Sequence, residues 1–236
     1  MSSGESIRLY HSQPHPCSYL VKKEARALYL DQNTRLDMNA ASRLAEMGFR
    51  RSGHFIYKPL CDRCTSCIAA RIPVGQFTPN RSQRRTWNKN RELTLTRTPP
   101  AYTEEYYSLY ERYIHERHQD GEMFPPDQSQ YTNFITACDE NTFFLEIRSE
   151  NKLVAVAVTD ELDNGLSAIY TFFDPTLDDR GFGVYSLLCQ IELARSMKLD
   201  YLYLGYWIQE CPKMSYKTQY RPIELLQGTR WQLVSR

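Results

Sequence analysis

Apolar and polar positions change period several times along the chain, and each change marks an element. Residues 39–47, NAASRLAEM, place Leu44 and Met47 on one helical face ahead of Gly48, which predicts a helix that stops there. In RRSGHFIYKP, Ser52-Gly53 reads as a hairpin turn delivering Phe55, Ile56 and Tyr57 as a short strand, whereas residues 24–30 fit a short helix or a strand. Strand alternation runs over 68–77 and, more cleanly, over 92–98, where Pro99-Pro100 ends it. After Thr103, a candidate N-cap, Tyr106, Leu109, Tyr110 and Tyr113 recur three or four apart, the period of a helix with an aromatic core stripe. A second helix is predicted over 127–138.

The segments TFFLEIRS, KLVAVAVTD and GLSAIYTFFD, separated by Glu150-Asn151 and Asp163-Asn164-Gly165, predict an antiparallel meander. Asp174-Pro175 then leads to RGFGVYS, a glycine loop opening a long helix, and to the strand YLYLGYWI. Helices, three strands, glycine loop, helix and strand make a mixed α/β (α+β) order. A cysteine-containing N-terminal module over 1–70 and a catalytic domain over 71–236 are expected.

Composition sharpens this picture. With 236 residues, 42% hydrophobic and 24% charged, the chain can bury a full core. Its start, MSSGESIRLY, lacks a basic and apolar leader, and no stretch reaches membrane-helix length, so a cytoplasmic protein is expected. The net charge of +1 hides an asymmetry: residues 71–97 hold seven Lys and Arg against one acid, whereas residues 104–163 hold fourteen acids against four bases. One basic working face is implied, because partners respond to the local field. Arg81, Arg84, Arg85 and Lys89, with Trp87 among them, suit a polyanion whose bases can stack.

Seven cysteines are present, three of them at CxxCxxC spacing as Cys61, Cys64 and Cys67. With Cys17 folded back, four thiolates could complete a zinc site or hold an iron–sulfur cluster; small buried thiols account for the spacing equally well. His15 and His54 are alternative ligands. Cys138, Cys189 and Cys211 are expected as structural thiols.

HPCSYL, the spaced cysteines, RSQRRTWNKNREL, TFFDPTLDDRGFGVYSLL and YLYLGYWIQECPKMSYKTQYRPIE together resemble the aminoacyl-tRNA–protein transferase family. The similarity is to its short bacterial branch, the aspartate/glutamate leucyltransferases, and spans residues 10–224. It implies a catalytic domain with a mixed sheet like that of Gcn5-related N-acetyltransferases. It also implies movement of leucine from leucyl-tRNA to the N-terminal amine of proteins beginning with Asp or Glu, marking them for degradation by the N-degron pathway. The longer eukaryotic relatives use arginine. Expected partners are aminoacyl-tRNA and such proteins or peptides, with no membrane and no DNA. The ester is already activated, so no cofactor is required for transfer. The eukaryotic cysteine set is associated with an iron–sulfur cluster, which suggests a cluster or zinc at Cys17, Cys61, Cys64 and Cys67, although Cys17 lacks the paired cysteine of that pattern.

Within this reading, Arg71 and either Lys217 or Arg221 are expected to clamp the acidic side chain. Arg81, Arg84, Arg85 and Lys89 would face the tRNA, with Trp87 interleaved. Asp174, Tyr170 or Tyr206 would handle protons, and His115 and His118 would face solvent. Two rivals stand beside it. A coenzyme A-dependent N-acyltransferase is opposed by Asp178 near the glycine loop, where a pyrophosphate would lie. An RNA-binding zinc module leaves the second half of the chain without a task.

Overall fold

The computed structural model describes residues 7–137 and 140–234. First in the chain come β1 (Leu9–His11), β2 (His15–Pro16), β3 (Glu24–Ala25), β4 (Ala27–Leu30), α1 (Met38–Glu46), β5 (Arg50–Ser52) and β6 (Phe55–Pro59). Strands β1, β4, β6 and β5 form an antiparallel sheet in that order, and β2 pairs with β3. Residues 24–30, open to either reading in the sequence, are therefore extended. The α1 helix is started by Asp37, whose side chain accepts from Ala40 N at 2.7 Å. Leu44 packs with Leu30 and Phe49 of the small sheet, and Ala45 with Leu162 and Tyr203 of the large one, so α1 lies between them.

The predicted turn at Ser52-Gly53 is present, and it reaches across the molecule. Gly53 has φ +58°, and a Cβ there would lie 2.4 Å from Asn133 O. Both the backbone conformation and the space demand glycine.

The large sheet takes β7 (Ile68–Pro73), β8 (Thr94–Thr98), β9 (Thr142–Ser149), β10 (Lys152–Leu162), β11 (Gly165–Phe173), β12 (Tyr201–Trp207), β13 (Ile223–Gln227) and β14 (Arg230–Val234). Their spatial order is β14-β13-β7-β12-β11-β10-β9-β8. All neighbours are antiparallel except β11 and β12. That parallel pair requires a crossover, supplied by a 3-10 turn (Pro175–Arg180) and α5 (Phe182–Ser196). The other helices are α2 (Arg81–Lys89), α3 (Glu104–Arg117), α4 (Gln128–Tyr131) and α6 (Pro212–Ser215).

Alternation along β10 sends Ala155 and Ala157 to the α5 face, against Phe182, Leu188 and Ile191, and Val156 and Val158 to the α3 face, against Tyr110, Ile114 and Phe172. A sheet covered on both faces explains why its central strands read as nearly continuous apolar runs. Thr103 caps α3 as expected. The segment predicted as one helix over 127–138 is instead α4 followed by a π-helical turn (Thr132–Thr136), and its last residue, Cys138, lies outside the described residues. The predicted strand over 68–77 stops at Pro73. The C-terminal hairpin of β13 and β14 was not foreseen.

Candidate active site

Strands β11 and β12 pair only from Gly165↔Tyr201 to Ser167↔Tyr203; beyond this they part, β11 continuing to Phe173 and β12 to Trp207. Gly205, at φ +77°, sits where β12 shifts register against β7. Strands that part leave buried carbonyls without ladder partners, and such groups need donors. Two cations supply them. Arg50 Nη2 donates to Ala168 O on β11 at 2.8 Å, its guanidinium packed over Gly205. Lys217 Nζ, on the 3-10 turn Tyr216–Gln219, donates to Tyr206 O on β12.

Arg50 is 8% and Lys217 4% exposed, and neither takes part in an ion pair among the described residues. The neighbouring acid, Asp160, is engaged by a two-point bond from Arg51 at 2.7 Å. Burial lowers the pKa of Arg50 from its ordinary value. Burial and the adjacent Arg50 charge bring Lys217 down to about 7. Asp160, the acid whose charge acts on Arg50, is already engaged by Arg51, so two buried basic groups remain to receive a further carboxylate.

Of the residues expected to move protons, Tyr206 is 3% exposed and donates to Gly48 O at 2.8 Å, with Tyr57 O at 3.2 Å. Burial raises its pKa, so it acts as a tether between the small sheet and β12. Tyr170 Oη and Trp207 Nε1 lie on the diverging parts of β11 and β12, buried and without a hydrogen-bond partner among the described residues. Each is a buried donor whose hydrogen-bonding capacity is unmet among those residues. Asp174, 2% exposed, accepts from Lys152 Nζ at 2.8 Å and from Thr176 N and Oγ1 at 3.1 and 2.6 Å. Burial opposes its charge, but these bonds outweigh it and hold the carboxyl below its usual range. Its oxygens are committed to starting the 3-10 turn.

Arg71 lies apart from the gap. Its Nε bonds Glu224 at 2.6 Å, its Nη1 bonds Tyr203 Oη at 3.2 Å, and the guanidinium is stacked 3.5 Å from the Tyr201 ring centre and 4.3 Å from that of Trp231. Arg221 donates to Thr218 O and Val234 O near the C-terminal hairpin. Of the three residues expected to clamp an acidic side chain, only Lys217 stands in the gap, and its companion there is Arg50.

The basic run forms α2, started by a reciprocal pair between Asn80 and Gln83. Arg81, Arg84 and Arg85 are exposed on it. Trp87 is half-buried against Tyr185 of α5, ring centres 5.6 Å apart, so its ring serves helix packing. Lys89 is paired with Asp179, Arg180 with Glu92 and Arg117 with Asp178. These pairs pin the 3-10 turn and set two carboxylates beside the start of α5.

Cys17, Cys61, Cys64 and Cys67 line one cavity of about 640 Å³. Each has its own neighbours: Leu20 N donates to Cys17, Arg26 N to Cys61, and Cys64 lies beside Ser66 and Lys23. Burial pushes the Cys67 thiol up to about 12, whereas hydrogen bonds to Ser66 lower Cys64. No group of three or more His, Cys, Asp or Glu among the described residues is gathered so as to hold a metal ion. As arranged, the thiols share a cavity without forming a ligand cage. Cys189 and Cys211 are buried free thiols.

Two descriptions of one family match the chain: "Arginine-tRNA-protein transferase, N terminus" over residues 15–85, and its C terminus over residues 105–227. The chain belongs to the arginine-tRNA–protein transferase family. Within it, the chain is 50% identical to the aspartate/glutamate leucyltransferase of Pseudomonas aeruginosa (strain UCBPP-PA14) over 231 residues, 98% of each chain. It is 48% identical to that of Hahella chejuensis, over 98% of this chain and 99% of the other. Among solved structures, that of L-PGS from Bacillus licheniformis is similar at a TM-score of 0.46 and 13% identity, over 60% of this chain and 45% of that one. The chain is thus a transferase acting with aminoacyl-tRNA and a protein acceptor. No helix among the described residues is long and apolar enough to cross a membrane.

Arg50 escaped the sequence reading. Next to Arg51 in a hairpin of alternating residues, it looks like a surface cation. Adjacent strand residues point to opposite faces, which would leave one of the two arginines in solvent, yet both are enclosed, Arg51 by its bond to Asp160 of the large sheet.

Proposed function

We propose that the chain moves leucine from leucyl-tRNA to the α-amino group of proteins beginning with Asp or Glu, and so marks them for degradation. The activity of its near full-length relatives, named aspartate/glutamate leucyltransferases, supports this donor and these acceptors. Arginine is the alternative donor. The observation that carries the acceptor half is the pair of buried cations, Arg50 and Lys217, left without a carboxylate between the parted strands. Arg50 offers a fork to the Asp or Glu side chain, and the α-amine beside it is set toward the ester. Tyr170 and Trp207 carry unpaired donors on opposite faces of the sheet, and one of them is offered to the ester carbonyl as it becomes an oxyanion. The exposed arginines of α2 hold tRNA phosphates. A basic face of this kind also fits an enzyme that works in the cytoplasm, where aminoacyl-tRNA is made.

The transfer itself calls on no metal. A cluster or zinc at Cys17, Cys61, Cys64 and Cys67 would need the thiols to draw together from the positions they occupy, and no step is routed through one. Elemental analysis of anaerobically purified protein measures it directly.

The test of the function is transfer of labelled leucine, with arginine in parallel, from charged tRNA to peptides differing only in an N-terminal Asp, Glu, Lys or Ala. Leucine is expected on the Asp and Glu peptides alone. Label from arginyl-tRNA in preference would change the donor, and label on the Ala peptide would remove the acidic acceptor.

A further inference from the structure

We propose that Lys217 is a catalytic base: its amine takes a proton from the α-ammonium of the incoming protein, and an acidic first residue is what enables it to do so. The proposal rests on the acceptor reading above and deepens it. Lys217 lies in the gap with one strong hydrogen-bond acceptor, Tyr206 O, and the Met214 sulfur at 3.7 Å. From the elements packed around it, Lys217 is faced by Arg50 from β5, Cys67 from ahead of β7, Cys211 from ahead of α6, and the ring of Tyr216. The other candidate proton acceptors are engaged elsewhere. Asp174 is held by Lys152 and Thr176, Asp160 by Arg51, and the Tyr206 hydroxyl is spent on Gly48 O.

Burial and the Arg50 charge leave a large share of Lys217 as neutral amine at neutral pH, with a free lone pair. When a substrate carboxylate settles beside Arg50, its negative charge stabilises the ammonium form of Lys217. The amine then becomes the stronger base when the correct residue arrives, and an α-ammonium, of ordinary pKa about 8, can give up its proton to it. The freed α-amine attacks the ester carbonyl, forming the new N–C bond. As the tetrahedral intermediate collapses, the C–O bond to the terminal ribose breaks, and the second proton of that nitrogen goes to the leaving ribose oxygen. After the product leaves, Lys217 returns its proton to solvent, so one proton is released per transfer. Acidic residues are thereby selected in the rate of reaction as well as in binding.

The experiment compares wild type, Lys217→Arg and Lys217→Met, each shown to be folded by circular dichroism, in two assays. One is binding of a fluorescent peptide with N-terminal Asp; the other is single-turnover leucine transfer to that peptide across pH. Lys217→Arg keeps the positive charge and is expected to bind the Asp peptide within about threefold of wild type but to transfer about 100-fold more slowly at neutral pH. Its rate should climb with pH as free α-amine accumulates. A peptide whose α-amine is replaced by an aminooxy group, already neutral at pH 7, should restore most of the lost rate in both variants. Transfer by Lys217→Arg at the wild-type rate, or no rescue by the aminooxy peptide, overturns the base role. Loss of binding with no separate loss of rate would reduce Lys217 to a clamp and overturn it too. Wild type inert toward both peptides would sink the acceptor reading and this step with it.

Discussion

A buried amine with no counter-ion costs stability, and the cost at Lys217 is readable in pH. Its pKa falls from 10.5 unfolded to about 7 folded, so between these values the unfolded chain binds more protons and stability rises with pH. The penalty is fully present below about pH 7 and fades toward about pH 10.5. Lys217→Met is therefore expected to be more stable than wild type by roughly 1–3 kcal/mol near pH 6.5 and by less near pH 9.5, while inactive. Thermal melts at the two pH values check both the sign and the trend, and a variant less stable than wild type at both would show that the Tyr206 bond outweighs the burial. At this scale the sequence was a poor guide. Arg50 and Arg71 are both strand arginines, yet one opens onto the gap and the other is closed between Tyr201, Trp231 and Glu224. Glu224 lies 153 residues from Arg71 in the chain, and a separation of that kind leaves no local trace.

Elements were more legible, because their signals are local. The N-cap Thr103, the helix stop at Gly48, the stripe of α3 and the meander of β9 to β11 follow from period and turn residues. The basic segment folds as α2, and its charges divide in a way only packing reveals. Trp87 and Lys89 face α5 and the 3-10 turn, whereas Arg81, Arg84 and Arg85 remain toward solvent. Arg84→Ala and Arg85→Ala should each weaken tRNA binding and lower the slope of log affinity against log salt by about one. Affinity for an acidic peptide should not change. Filter binding over a range of salt concentrations measures the first effect, and an unchanged slope in the double variant would move the tRNA off α2. The β13–β14 hairpin was missed because its pattern, IELLQGTRWQLV, alternates weakly and β14 is half-solvated. The π-helical turn after α4 departs from any regular period.

At the scale of the molecule, the small sheet and the large one are fastened where the gap forms. Arg51 grips Asp160 of β10, Tyr206 grips Gly48 O, and Gly53 lies tight against Asn133. Gly53→Ala must meet a backbone oxygen at 2.4 Å from a left-handed conformation, and is expected to cost about 2–4 kcal/mol. Peptide transfer should fall with it, since Arg50 enters the gap from the same hairpin. Denaturant unfolding and the transfer assay report the two losses, and full activity in a destabilised variant would uncouple the hairpin from the site. The mixed α/β class was legible as a whole; the way its two sheets share one pocket was not, because that depends on contacts between distant segments.

Arg50 and Lys217 come from opposite ends of the chain, and this has a consequence during synthesis. A polypeptide still emerging from the ribosome has the first cation long before the second. On the acceptor reading proposed above, a chain that has not yet reached Lys217, or a fragment that lacks either residue, holds only half of the carboxylate site.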